Sequence, residues 1–414
     1  MNLPEKILKN LVEGRFLKVT FTSLRQFLTK LRSCTDWVLC VPFRYLLSKI
    51  HRVQSNKILF MTYNNDYMCN PKYICEELRR QELPVELVWA TTTKKLRSGQ
   101  FPDGVRPVVR GTYAFFKEAV TAKIWVDNAV CFPWNPVPKK KEQFYLQTWH
   151  GSLGLKRIGK TDVKQRRWVM AARLAGRWTD VCISNSRFET DVFRQTHWAN
   201  TEILELGHAR NDILFADERT QAEITARIRD FFHIPEGKHI ALYAPTFRND
   251  PTSDAYCLDH SRLLDNLENH FGGDWVLLNR YHFKTKGVRN GFHADERIYA
   301  ATAYPDMQEL LVAADVGITD YSSWICDFVL TGKPGFLFTP DLVDYDQERG
   351  FYYPLTETPF PIAQTNDELE YSIRDFDPAI YEQKRQEFLA ARGCIEDGHA
   401  AKRIVEIIKR QCNL

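Results

Sequence analysis

Glycine and proline are scarce, 20 and 19 of 414 residues, which excludes collagen-like and low-complexity chains. No apolar run is long enough to span a bilayer, because charged residues interrupt every candidate. The first residues, Met1 to Lys6, lack the basic-then-apolar order of a secretion signal. Ten cysteines are too sparse for a disulfide scaffold, and the nearest pairs, Cys34/Cys40 and Cys69/Cys75, lack the close spacing of a zinc knuckle or redox motif. Free thiols in a reducing, cytoplasmic setting follow. Neither sign of charge dominates: 56 basic against 52 acidic residues leave +4, which excludes a surface built as a whole for nucleic acid.

What is present is enough apolar material, 44% of residues, to bury two or three cores. The charge is uneven. Residues 1–52 carry ten Lys/Arg against Glu5, Glu13 and Asp36, a net +7 on a body of −3. Leu8, Leu11, Val12, Phe16, Leu17, Phe21, Leu24, Phe27, Leu28 and Leu31 recur mostly every three or four positions, the pattern of a basic amphipathic helix. Such an arm either lies on an anionic membrane surface or packs on the body.

From residue 55 the chain alternates apolar strands with helices. Strands are expected at 57–63, 85–90, 123–127, 143–148 and 179–184, and again at 239–244, 274–279, 315–319 and 334–338, with a helix near 71–82. This is α/β order with parallel sheets, in two doubly wound halves whose ligands sit at the carboxyl ends of strands. The expected division is an arm over 1–52, an acceptor domain over 53–215, a donor domain over 216–390 and a closing helix over 391–414.

Four segments stand at those strand ends. In Gln147-Thr148-Trp149-His150-Gly151-Ser152, a histidine can take a proton from a hydroxyl and Gly151 lets a substrate approach the backbone. In Ala244-Pro245-Thr246-Phe247-Arg248, a guanidinium offers two parallel donors to a phosphate. The third, Asn279-Arg280-Tyr281-His282, again places basic groups after a strand. In the fourth, a strand delivers Asp320, and Ser322 and Ser323 open a helix whose amides suit an anion; Asp327 follows on the same side, where a carboxylate can accept from ribose hydroxyls. Two Asp-x-Asp strings, Asp344-Tyr345-Asp346 and Asp375-Phe376-Asp377, lie away from these segments, and no metal is expected.

Trp149-His150-Gly151, Ala244 to Arg248, Ile318-Thr319-Asp320-Tyr321-Ser322-Ser323, Arg349-Gly350-Phe351-Tyr352 and Leu206-Gly207-His208-Ala209-Arg210-Asn211-Asp212 together resemble the CDP-glycerol glycerophosphotransferases of teichoic-acid-like and capsular polymers. The resemblance runs from about residue 145 to 355. It implies a glycosyltransferase-B-like fold with a cleft between two Rossmann-like domains, a CDP-glycerol or CDP-ribitol donor and no further cofactor. It also implies transfer of a polyol phosphate to a glycopolymer or lipid-linked acceptor with release of CMP, at the inner membrane face. By the same resemblance His150 is the base; Arg248, His282, Ser322, Ser323 and Thr246 face the diphosphate; Asp327 and Asp320 face the nucleoside. Gly151, Ser152, Lys156, Arg157 and Arg210 fall on the acceptor side. The chain departs from the family where threonine and proline usually follow the His-Gly pair: here stand Ser152, Leu153 and Gly154. Rival readings are a nucleotide-sugar transferase or epimerase on the same fold, or a silent membrane scaffold.

Overall fold

The computed structural model describes residues 40–99, 101–134, 137–154, 156–158, 166–248, 254–281 and 295–414, without the side chains of 166–168 and 347–349. Two parallel sheets organise it. The first holds seven strands: β1 (Gln54–Met61), β2 (Glu86–Thr91), β3 (Val105–Val109), β4 (Ala122–Asp127), β5 (Phe144–Gln147), β6 (Val181–Ser184) and β7 (Glu202–Glu205), in the order β3-β2-β1-β4-β5-β6-β7. The second holds six: β8 (His239–Tyr243), β9 (Trp275–Asn279), β10 (Ile298–Ala300), β11 (Val316–Thr319), β12 (Gly335–Phe338) and β13 (Ile362–Ala363), in the order β10-β9-β8-β11-β12-β13. Each order turns back beside its first strand, at β1/β4 and β8/β11. At such a switch point, consecutive connections leave on opposite faces and open a crevice at the carboxyl ends.

The inner strands are covered on both faces, which is why they read as unbroken apolar runs. Ile58, Leu59, Phe60 and Met61 of β1 and Ile240, Ala241 and Leu242 of β8 have no accessible surface. Every strand expected from the sequence is present; β3, β7, β10 and β13 were not expected, and all four are sheet edges.

Two segments at the chain's ends join the first sheet. Residues 40–50 form a helix that inserts Leu47 among Phe115 and Phe116, with the Arg44 guanidinium 4.2 Å above the Phe116 ring. This part of the basic arm therefore packs on the body; residues 1–39 lie outside the described residues. The helix Ala400–Cys412, expected as a separate closing unit, packs instead into the first half, burying Ala401, Ile404, Val405 and Ile408 at helical spacing against Ile74, Leu78 and Ile124. Its first amides, on Ala400 and Ala401, donate to the Asp212 carboxylate at 2.9 and 2.7 Å. Asp212 thus caps a helix almost two hundred residues away. The chain crosses back at Gly393, whose φ of 59° is the left-handed turn that ends the helix Pro378–Arg392.

Candidate active site

β5 ends at Gln147, and two residues later Trp149 adopts φ of 50°, a conformation an aromatic residue rarely takes. The turn delivers His150 to the carboxyl edge of the first sheet, between the Trp149 ring at 4.3 Å and the Tyr63 ring at 4.9 Å. His150 Nδ1 lies 2.5 Å from the backbone carbonyl of Asn128, just past β4. A carbonyl only accepts, so Nδ1 carries the proton and Nε2 the lone pair. Burial, aided by the charges of Arg210 and His208, pushes the His150 pKa down to about 4 against the opposing pull of the Asn128 carbonyl. The ring is therefore neutral at pH 7, with its lone pair on Nε2.

On the second sheet, Thr246 follows β8, and its amide donates to both oxygens of Asp320 at 2.9 and 3.0 Å. Arg248 reaches Asp320 at 2.9 Å, Asp341 at 2.7 and 3.1 Å and the Thr246 carbonyl at 3.0 Å, and lies 4.6 Å from the Tyr345 ring centroid. As placed it braces its own loop, because two carboxylates already occupy the fork expected to hold a diphosphate. Ser322 and Ser323 are half-buried, and their hydroxyls make no hydrogen bond among the described residues. The helix after them, Ile325–Phe328, is only four residues long, so they offer backbone amides and hydroxyls rather than the dipole of a full helix. Gly317 of β11 underlies this turn: a Cβ there would meet the Phe328 ring at 2.8 Å. His282 lies outside the described residues.

Both expected ribose carboxylates are turned inward. Asp320 is 1% exposed and holds Thr246 and Arg248. Asp327, 3% exposed, accepts from Arg210 Nε and Nη2 at 3.0 and 3.2 Å, from Asn211 Nδ2 at 3.1 Å and from Gln308 Nε2 at 2.9 Å. Arg210 comes from the first half and also donates to the Gly151 carbonyl at 2.6 Å. It is therefore not an acceptor-facing cation: it ties the His150 loop to the Asp327 turn across the seam. Ser152, 1% exposed, accepts from Asn185 Nδ2 at 2.9 Å, and it too is unavailable to an acceptor. Lys156 reaches over to the donor half, where its Nζ donates to Thr246 Oγ1 at 3.1 Å, and Arg157 Nε donates to the Phe351 carbonyl at 2.9 Å. The 156–158 segment pairs with 350–352 in one antiparallel bridge, Lys156 opposite Phe351. Lys72, pairing with Asp306 and with Glu309 at 3.2 Å, makes a further link between the halves.

Two cleft residues, Asn128 and Tyr63, were not singled out by the sequence, and a third, Arg280, was noted only as a basic residue after a strand. Asn128 orients His150 and accepts from the Tyr63 amide at 3.0 Å. Tyr63, 42% exposed, faces the charges of Arg210 and Arg280. Arg280, immediately after β9, is fixed by Nη1 bonds to the Ala301 and Tyr304 carbonyls at 3.0 and 2.6 Å, while Nε and Nη2 have no hydrogen-bond partner among the described residues. Burial lowers its pKa with only partial relief from Asp306. A signal existed for Asn128 and Arg280, each a polar residue directly after a buried strand.

Among the described residues no three potential ligands cluster to hold a metal. Asp377 of the second Asp-x-Asp string caps the helix Pro378–Arg392, with its Oδ1 2.8 Å from the Ala379 amide.

The family model for CDP-Glycerol:Poly(glycerophosphate) glycerophosphotransferase matches residues 43–410. The chain belongs to this glycerophosphotransferase family. It is 30% identical over 383 residues to a teichoic acid poly(glycerol phosphate) polymerase of Staphylococcus epidermidis, covering 88% of this chain and 52% of that one. It is 29% identical to the teichoic acid glycerol-phosphate transferase of Staphylococcus aureus, covering 88% and 95%. The chain thus spans about half the length of the first of these relatives and nearly all of the second. A solved structure of the wall teichoic acid polymerase TagF superposes with a TM-score of 0.78 at 28% identity, covering 95% of this chain and 99% of that one. Another, of a TagF variant soaked with CDPG, gives 0.77 at 27% identity, with the same coverage. The glycosyltransferase-B-like arrangement of two Rossmann-like halves facing a cleft is established by these neighbours. A UDP-N-acetylglucosamine 2-epimerase of Listeria monocytogenes, at 13% identity and a TM-score of 0.51, shares the fold alone.

Proposed function

We propose that the protein transfers a polyol phosphate, glycerol phosphate, from CDP-glycerol to a hydroxyl of a teichoic-type polymer and releases CMP, working peripherally on an anionic membrane surface. The observation that carries the transfer is His150: a neutral imidazole with its proton held on Nδ1 by Asn128 and its lone pair on Nε2 in the inter-domain cleft.

Nε2 removes the acceptor hydroxyl's proton as that oxygen forms a bond to the phosphorus bearing glycerol. The bond from this phosphorus to the bridging oxygen breaks in line, and CMP departs with that electron pair. The imidazolium keeps its Nδ1–H on the Asn128 carbonyl, which favours the charged form and so assists proton uptake. Such a transfer asks for positioning and charge neutralisation more than for covalent help from the protein. Arg280 supplies Nε and Nη2 to a phosphate oxygen, a role its unpaired donors suit better than the committed fork of Arg248 does. Ser322, Ser323 and Thr246 add hydroxyls, and Lys156 adds a charge beside Thr246. No step of this reading calls on a metal.

A donor screen with mass measurement of the product tests the reading. CDP-glycerol should yield CMP and an acceptor heavier by one or more glycerol phosphates; turnover of UDP-sugars in place of CDP-glycerol would refute it.

A further inference from the structure

At the opposite end of the first sheet from His150, the amino-terminal ends of β1, β4 and β5 surround a cavity of about 730 Å³. Lys49, Arg52, Lys123, Lys139, Lys140 and Lys141 line it, against one acidic side chain, Glu142. Lys139 is neutralised by Asp180 at 2.8 Å, and Lys123 donates to the Glu142 carbonyl at 2.6 Å. For Lys49, Arg52, Lys140 and Lys141, no carboxylate lies within ion-pair distance among the described residues. The crowding has an electrostatic consequence: burial and the nearby Lys49 hold the Lys140 pKa below its ordinary value despite Glu142, and burial with Lys117 and Lys140 does the same to His51. Such a concave cluster of like charges is relieved by an anion.

The rim identifies the anion's source. On the outer face of the 40–50 helix, Tyr45, Leu46 and Ile50 are 51%, 50% and 56% exposed, while Leu47 anchors the helix in the core. A soluble phosphate has no use for an apolar rim. A lipid headgroup above its acyl chains does. The helix also continues the amino-terminal segment, where residues 1–39 add seven Lys/Arg against three acids and a recurring apolar pattern.

We propose that this cavity binds the phosphate of an anionic phospholipid headgroup, with Tyr45, Leu46 and Ile50 entering the interface around it. The proposal deepens the peripheral reading above and rests on it. Since β4 runs six residues from this end to the cleft, the reacting hydroxyl is held roughly 20 Å from the lipid. That separation suits an acceptor anchored in the membrane whose growing end stands away from it.

Co-sedimentation of the full chain with phosphatidylglycerol and with phosphatidylcholine vesicles tests it, alongside Lys49→Ala/Lys140→Ala and Leu46→Ser/Ile50→Ser variants. The lysine pair should lose roughly 30-fold in affinity for phosphatidylglycerol. The apolar pair should weaken the binding that survives high salt. Both variants should keep the parental thermal stability and rate of CMP release with a soluble acceptor. If the parent binds neither vesicle, the peripheral reading fails and the proposal with it. If the parent binds phosphatidylglycerol and the lysine pair binds it equally, the cavity is not the headgroup site while the peripheral reading stands. Loss of binding to a soluble glycerol-phosphate oligomer, with vesicle binding intact, would overturn the lipid assignment.

Discussion

Asp327→Asn separates two roles for one carboxylate. If Asp327 held the donor's ribose, the change would weaken CDP-glycerol and leave stability alone. In the structure it accepts four hydrogen bonds, two per oxygen: Arg210 Nη2 and Asn211 on Oδ1, Arg210 Nε and Gln308 on Oδ2. Asparagine retains one acceptor, so whichever way its amide turns, one guanidinium N–H and one side-chain amide face another donor. Each buried donor left unsatisfied costs about 1–3 kcal/mol. The pair sum agrees with the roughly 3–5 kcal/mol that follows removal of one partner from a buried ion pair. For a half of this size, that lowers Tm by roughly 6–20 °C. The same change loosens Arg210 from the Gly151 carbonyl, so kcat should fall while the KM for CDP-glycerol moves little. Differential scanning fluorimetry and steady-state CMP release read both quantities. An unchanged Tm with a KM raised tenfold would return Asp327 to the ribose and refute the clamp.

Arg280→Gln should raise the KM for CDP-glycerol by about tenfold or more, since charge-assisted hydrogen bonds contribute about 1.5–3 kcal/mol, with a modest fall in Tm from the lost Nη1 bonds to the Ala301 and Tyr304 carbonyls; calorimetric titration with CDP-glycerol checks it, and unchanged affinity removes Arg280 from the phosphate site. Burial raises the Glu396 pKa from 4.5 to about 7, so the folded state keeps a proton that the unfolded chain releases. The stabilisation is full below pH 4.5 and is lost as pH rises through about 7, a change of up to about 3 kcal/mol. His208, also raised through its contact with Glu189, acts in the same direction. His150 and His197, both pushed down to about 4 by burial, act in the opposite direction in either protein, so the Glu396 contribution is read as a difference: in denaturant unfolding from pH 5 to 8 the parent should lose up to about 3 kcal/mol relative to Glu396→Gln, and an equal pH dependence in both proteins would contradict this.

The inner strands were legible because burial on both faces leaves only apolar residues to write them. The four edge strands were not. β3 carries Pro107 and an exposed Arg106, β7 is the polar Glu-Ile-Leu-Glu, and β10 and β13 are three and two residues long. His150 was legible as a polar residue ending an apolar run, and the structure adds what sequence could not: which ring nitrogen keeps the proton. The carboxylates were misplaced for a single reason. Sequence shows that Asp320 and Asp327 sit near a strand end, but not which way they face, and the partners that turn them inward, Arg210 from 117 residues away and Arg248 in the loop after β8, are joined to them only by the fold. The closing helix was likewise read as apart because nothing local says that Asp212 caps it.

The central claim is that His150 deprotonates the acceptor in a chain that otherwise binds and positions CDP-glycerol unaided. Rapid-quench measurement of CMP release from CDP-glycerol, with a glycerol-phosphate-primed acceptor, tests it in the parental protein and in His150→Ala. The expected result is a single-turnover rate about 10²–10⁴-fold lower in the variant, with CDP-glycerol affinity within a few-fold of the parent. Parental rates in His150→Ala would contradict the account.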